Sequence, residues 1–171
     1  MPHLLMERNI VTTSKRYGLS IFVEAGTYLG DMVDAIRRNF EQVYSIEVSQ
    51  QLCKKARTRF RKNPNVTILE GSSSVVLSQL IPTLQRPTLF WLDHYCDDPL
   101  EAEDRQPPVL SEISTILEHM AGRFVILSSS AHLFGTYGLP TVHQVKDLVA
   151  DTAPNMKLLV ENDILRITPT V

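Results

Sequence analysis

Cysteine is scarce in this sequence: Cys53 and Cys96 are the only two among 171 residues. Neither belongs to a Cys-x-x-Cys pair, and two thiols cannot hold a metal without help from His or Asp. So little cysteine fits a reducing compartment, and a cytoplasmic location is expected. Cys53 falls in a helical pattern and reads as a buried or half-buried thiol. Cys96 falls in a loop, and no neighbouring pattern would activate it as a nucleophile. No apolar run approaches the length that crosses a bilayer, so no membrane partner is expected. No basic start, apolar stretch and cleavage site mark a signal peptide. Repeats and low-complexity segments are missing as well.

An excess of one charge is also lacking. Basic residues number 17 against 19 acidic ones, for a formal net charge of −2. That balance disfavours nucleic acid as a partner. The local exception is 54–62, with Lys54, Lys55, Arg57, Arg59, Arg61 and Lys62. A solvated helix face explains it more simply than a phosphate-binding patch. Two signatures are absent: the Gly-x-Gly-x-x-Gly of dinucleotide binding and the Gly-x-Ser-x-Gly elbow of Ser-dependent hydrolases.

What is present is an ordinary globular composition, 43% hydrophobic and 21% charged. It suits a single domain over residues 1–171, with 1–19 as a helix preceding the sheet. Short apolar runs alternate with amphipathic stretches. Strands are expected at 21–24, 43–47, 66–69, 89–93, 124–127, 156–160 and 164–167. Helices are expected at 4–17, 29–40, from Ser49 onward, from 71–74 to just before Pro82, after Pro107-Pro108 and at 141–149. Residues 94–106 and 128–140 read as long loops. Glu161-Asn162-Asp163 reads as a tight hairpin joint. The expected fold class is α/β: a three-layer αβα sandwich around a mostly parallel sheet, with one reversed strand from the closing hairpin.

Ligands of such sheets bind beyond the carboxyl ends of the strands. Functional residues should therefore follow strand ends. Glu24-Ala25-Gly26-Thr27-Tyr28-Leu29-Gly30 does so. Gly26 permits a sharp turn and close approach of a ligand, and Gly30 permits close packing of helix and strand. Both could equally do no more than shape the turn. Glu47 ends the second strand, where a carboxylate can accept both hydroxyls of a ribose. Gly71-Ser72 follows the third strand and could meet a ligand or merely cap a helix. Asp93 closes the fourth strand, with His94 next, and suits substrate orientation or general-base work. His94 could as well be an ordinary loop residue. Ser128-Ser129-Ser130 and His132 follow the fifth strand without a third catalytic partner. Asp93, His94 and His132 could together bind a metal only if the fold gathers them.

The run Phe22-Val23-Glu24-Ala25-Gly26-Thr27-Tyr28-Leu29-Gly30, followed by Tyr44-Ser45-Ile46-Glu47, resembles the class I S-adenosylmethionine-dependent methyltransferases, in particular small bacterial members. The resemblance continues through Leu69-Glu70-Gly71-Ser72-Ser73, Leu89-Phe90-Trp91-Leu92-Asp93, Pro108-Val109-Leu110-Ser111-Glu112-Ile113 and Glu161-Asn162-Asp163-Ile164-Leu165-Arg166-Ile167. It implies a Rossmann-like, seven-stranded sheet with a reversed last strand. It implies S-adenosylmethionine as cofactor, with Glu24, Gly26 and Gly30 around its methionine part and Thr27 and Tyr28 in the same loop. Glu47 would then hold the ribose, Gly71 and Ser72 the adenine, and Asp93 would face the reactive methyl and the acceptor.

Three departures stand out. Ser72 replaces the Asp usual in relatives, Asp93 meets His94 directly, and Ser128-Ser129-Ser130 stands where relatives tend to place paired acids. Where such acids hold a cation, that site is dismantled here, and no metal is expected. The expectation is a cytoplasmic methyltransferase for a small-molecule acceptor, with a homodimer possible. The alternatives are a cofactor-binding relative without transfer activity and an enzyme using the cofactor for another reaction. An NAD-linked oxidoreductase is disfavoured by the missing glycine fingerprint.

Overall fold

The computed structural model describes residues 3–93 and 108–170. Strands β1 (Ile21–Ala25), β4 (Thr88–Leu92) and β5 (Phe124–Ser128) are buried at every position. A strand covered on both faces needs such a continuous run. With β2 (Gln42–Glu47), β3 (Val66–Glu70), β6 (Met156–Glu161) and β7 (Ile164–Pro169) they form one seven-stranded sheet, ordered β3-β2-β1-β4-β5-β7-β6. β1 to β5 run parallel, and β7 runs antiparallel to both β5 and β6. The expected fold, with its reversed last strand, is the fold observed.

Alternate residues of each strand face opposite layers. Phe22, Val43, Leu89, Trp91 and Val125 pack on α1 (His3–Tyr17), α2 (Asp31–Ile36) and α3 (Gln50–Phe60) through Ile10, Val33, Ile36, Ala56 and Phe60. Val23, Ile46, Phe90 and Ile126 pack on α4 (Ser73–Leu80), α5 (Val109–His119) and α6 (Val142–Thr152) through Leu77, Ile113, Ile116 and Val145. Each fully buried side chain of this size contributes roughly 1.5–3 kcal/mol. The introductory helix α1 is also tied to the sheet by Arg166 of β7, which donates to Asn9 at 2.5 Å and Thr13 at 3.4 Å. Among the described residues no helix is long and apolar enough to cross a membrane.

Local signals set most boundaries. Ser49 caps α3 by accepting from the Leu52 amide. Thr141 and Gln144 form a reciprocal capping box on α6. The closing hairpin turns on Asn162 and Asp163, at φ 52° and 56°. Two left-handed residues make a turn whose twist matches that of the strands, and Asn and Asp tolerate it. α4 stops at Leu80, and Pro82 sits in the 3-10 turn Ile81–Thr83.

One helix differs from expectation. α2 spans only Asp31–Ile36 of the expected 29–40. The Asn65 side chain donates to the carbonyls of Arg37 and Phe40, drawing the chain out of the helix and into β2. At the other end Leu29 gives its carbonyl to Arg59 instead of to a helical turn. Gly30 caps α2 at φ +83°, and a Cβ there would sit 2.7 Å from the Phe60 ring. The substitution Gly30→Ala should therefore cost about 2 kcal/mol through a left-handed backbone and a steric clash. Thermal unfolding followed by circular dichroism should show a midpoint about 6 °C lower. An unshifted midpoint would refute this packing role.

Candidate functional site

The order β3-β2-β1-β4-β5 reverses direction between β1 and β4, and the crevice of such a sheet lies at that point. A cleft of about 130 Å³ opens there, walled by Ala25, Gly26, Ile46, Glu47, Val48, Gly71, Ser73, Asp93, Pro108 and Glu112. Its floor is made of strand ends held to one another. The amides of Gly26 and Thr27 donate to the Ile46 carbonyl at 3.0 and 3.1 Å, and the Asp93 amide donates to Ala25 at 3.1 Å. Gly26 passes so close to the Asp93 carbonyl that a Cβ would lie 2.8 Å from its oxygen, at φ +101°. Only glycine fits this crossing.

Of the residues expected from sequence, Gly26, Glu47, Gly71 and Asp93 meet at the cleft wall. Glu47 is almost fully buried, and both its oxygens are fixed by backbone amides. Oε2 accepts from Tyr28 and Oε1 from Ser49, each at 2.8 Å. Each carboxylate oxygen has two lone pairs, so one amide apiece leaves acceptors for two hydroxyls. Tyr28 supplies its amide from a left-handed conformation, while its ring is exposed.

Glu24, Thr27, Tyr28, Gly30 and Ser72 do not line the cleft. Strand alternation turns Glu24 onto the α1–α3 side of the sheet, away from Ala25. It is 1% exposed there and accepts from Ser45 Oγ at 2.5 Å, which in turn meets Thr27 Oγ1 at 2.6 Å. Burial pushes the Glu24 carboxyl up to about 8; the Ser45 bond opposes this, and the charges of Asp93 and Glu47 add to it. Glu24 and Thr27 thus brace the glycine loop from behind. Gly30 seats α2 on α3. Ser72 is exposed, and its hydroxyl pairs with Ser74 at 2.9 Å.

Three contributors had no site role assigned from sequence, although Ser128-Ser129-Ser130 was noted after the fifth strand. Ser129 donates to Asp93 Oδ1 at 2.7 Å and holds that carboxylate at the cleft. Ser73 donates to Glu112, a fully buried acid on the inward stripe of α5. Ser45 is the hydroxyl that joins Glu24 to Thr27. Their signal was a polar residue at a core-facing position, as Ser45 is within Val-Tyr-Ser-Ile and Glu112 is between Val109 and Ile113.

His132 is exposed, in the 3-10 turn Ala131–Leu133, and is tied to the closing hairpin, its amide and ring Nδ1 both bonded to Asp163 at 2.9 Å. Burial raises the Asp163 carboxyl, but the His132 bonds outweigh it and hold it below the usual carboxylate range. His94 and Cys96 lie outside the described residues. Among the described residues no three His, Cys, Asp or Glu side chains gather as a metal site. Cys53 is buried, and burial raises its thiol above the ordinary value.

The proton on Glu24 has a thermodynamic consequence. Its carboxyl titrates near 8 when folded and near the ordinary 4.5 when unfolded, so between these values the folded chain binds the extra proton. Stability should fall as pH rises through that window, at up to ~1.4 kcal/mol per pH unit. Glu24→Gln keeps an acceptor for Ser45 and cannot ionise. Thermal melts from about pH 5 to about pH 9 should show the parent declining relative to the variant. Parallel profiles would exclude a buried neutral Glu24.

No protein-family model matches the sequence, and no curated protein matches it. Solved structures do match in fold. A Podospora anserina methyltransferase solved with SAH bound superposes at a TM-score of 0.69 and 15% identity, over 100% of this chain and 80% of that one. A Bacillus cereus O-methyltransferase in complex with SAH gives 0.68 and 14%, over 96% and 80%. An rRNA methylase from Streptococcus thermophilus gives 0.59 and 14%, over 100% and 98%. The chain therefore has the Rossmann-like fold of the class I S-adenosylmethionine-dependent methyltransferases, as the resemblance in its sequence implied.

Proposed function

We propose that this chain is a single-domain S-adenosylmethionine-dependent methyltransferase that acts on a small-molecule acceptor without a metal ion. The observation that carries the reading is Glu47: a carboxylate at a strand end, fixed by two amides at the wall of a cleft floored by the Gly26 crossing. Such an acceptor pair suits the vicinal hydroxyls of a ribose. When bound, the cofactor supplies an activated methyl group on a sulfonium. The fit is good in kind: a diol acceptor at Glu47, an open backbone at Gly26, and apolar flanks at Ile46, Val48 and Pro108.

The chain's own work is binding, orientation and proton handling. Glu47 accepts the ribose hydroxyls, and Gly26 lets the cofactor lie against the backbone. Asp93, aimed through Oδ1 by Ser129, orients the acceptor and takes its proton as the new bond forms. His94, next in sequence, is the second candidate for that proton. Ser128-Ser129-Ser130 offers hydroxyls where a cation would call for carboxylates. Acids at the cleft wall repel a phosphate backbone, which favours a small acceptor over nucleic acid. The basic stretch on α3 is partly committed already, Arg57 to Glu70 and Arg59 to Asp31 and Asp34. The B. cereus and P. anserina neighbours support methyl transfer, and the rRNA methylase shows that the fold also serves larger acceptors.

Titration calorimetry with S-adenosylmethionine should give measurable binding to the parent. Glu47→Ala should weaken it roughly tenfold to a hundredfold. Equal affinity in both proteins would remove Glu47 from the ribose site. With an acceptor present, S-adenosylhomocysteine should accumulate, and a chelator should leave the rate unchanged. Asp93→Asn should lower kcat by about 10²-fold or more with cofactor affinity nearly kept. Binding without acceptor-dependent product across a panel of acceptors would point to a cofactor-holding protein instead.

A further inference from the structure

The two outer strands of the sheet, β3 and β6, end it in different ways. At β3 the Ile68 carbonyl accepts from Arg57 Nε at 3.2 Å, and the same guanidinium reaches Glu70 at 3.2 Å. A charged side chain laid along an edge blocks a further strand. β6 reads Met156-Lys157-Leu158-Leu159-Val160-Glu161, holds no proline, and pairs with β7 in unbroken register. Leu159 is 54% exposed and Val160 48%. Among the described residues no strand lies beyond it. An apolar edge left open in this way is a template for another strand.

The closing hairpin fixes which backbone groups of β6 face outward. Glu161 and Ile164 flank the two-residue turn, so they exchange hydrogen bonds. Bonded pairs then recur at every second residue, at Leu159 with Arg166 and at Lys157 with Thr168. Leu158 and Val160 therefore direct their N–H and C=O groups away from β7. Side chains alternate as well. Leu158 packs on the core beneath α6, while Lys157, Leu159 and Glu161 share the opposite face, where Glu161 lies 3.4 Å from Arg166.

We propose that β6 joins two copies of this chain into a dimer, by antiparallel pairing with Leu159 on the two-fold axis. The proposal does not depend on the cofactor reading. A symmetric contact sets residue i against j and j against i. With Leu159 against its own copy, Leu158 falls opposite the partner's Val160, and Lys157 opposite the partner's Glu161. The outward backbone groups of Leu158 and Val160 then bond to each other, the Leu159 side chains meet across the axis, and each cation faces an anion. An axis at Leu158 would set Lys157 against Leu159 and Glu161 against Asn155. An axis at Val160 would set Leu159 against Glu161. The Leu159 register alone matches apolar with apolar and opposite charge with opposite charge. Such a contact closes on itself, and Arg57 blocks the other edge, so assembly stops at two. The partner's strands run the opposite way, so the two clefts open at opposite ends of the joined sheet and both stay accessible.

Sedimentation velocity on the full chain tests this. The contact is short, so the dimer should dissociate on dilution, with a Kd on the order of 10 µM. Val160→Pro removes an outward N–H that β7 does not use, and should weaken the dimer about tenfold or more with the fold kept. Lys157→Glu sets acid against acid across the contact and should weaken it about tenfold. Adding Glu161→Lys to that variant exchanges the charges and should bring the dimer back. A merely structural effect of the first change would not be reversed by the second. A parent that stays monomeric at about 200 µM overturns the proposal. So does a dimer that Val160→Pro leaves intact, one that the charge exchange fails to restore, or a species larger than two chains. If Val160→Pro does not fold by circular dichroism, the charge exchange decides.

Discussion

The crossing of Gly26 beneath the Asp93 carbonyl is the constraint on which the site depends. Two parallel strands end side by side there, and the chain leaving β1 must turn across the end of β4. Any side chain at that point would collide with a backbone atom, which cannot swing aside as a flexible side chain could. Because the turn is this tight, the Gly26 and Thr27 amides reach Ile46 and the Asp93 amide reaches Ala25. Three strand ends become one piece, and the cleft is the space left above it. The position of Glu47 follows too, since the Tyr28 amide that holds its carboxylate belongs to the same turn.

Parallel strands that deliver acids to one edge create an electrostatic problem, and each acid here is accommodated differently. Glu24, in the dry interior, keeps its proton. Glu47 is ringed by peptide dipoles from two loops. Asp93 and Glu112 each receive a serine hydroxyl, and Glu70 takes a guanidinium from Arg57. Burying a charged group with no such partner would cost several kcal/mol. The serines are therefore as much a part of this edge as the acids.

Much of the architecture was legible because burial on both sheet faces demands uninterrupted apolar strands, and because caps such as Ser49 and Thr141 act within one helical turn. The end of α2 was not legible. The residue that sets it, Asn65, lies 28 positions from one of the carbonyls it captures and 25 from the other. In the site, Gly26, Glu47 and Asp93 could be placed because each follows a strand and the edge of a parallel sheet is where ligands go. The choice between Ser72 and Ser73 could not be made. Adjacent residues at a helix start point about 100° apart, and which one enters the cleft depends on the angle at which α4 docks. The acid to which Ser73 donates is 39 residues away on another helix.

The strand order also bears on how the chain is made. β7, the last strand in sequence, lies between β5 and β6 instead of at the margin. During synthesis from the amino end, β1 to β5 can pair in turn, but the outer edge of β5 has no neighbour until Ile164–Pro169 emerges. β6 does not fill the gap, because among the described residues its only sheet partner is β7. The nascent protein therefore carries an open, apolar sheet margin from the appearance of β5 until β7 emerges. Such a margin invites pairing with other chains. Rapid closure of the tight Asn162-Asp163 turn is what ends that exposure, so the hairpin guards the chain against aggregation before it serves the finished fold.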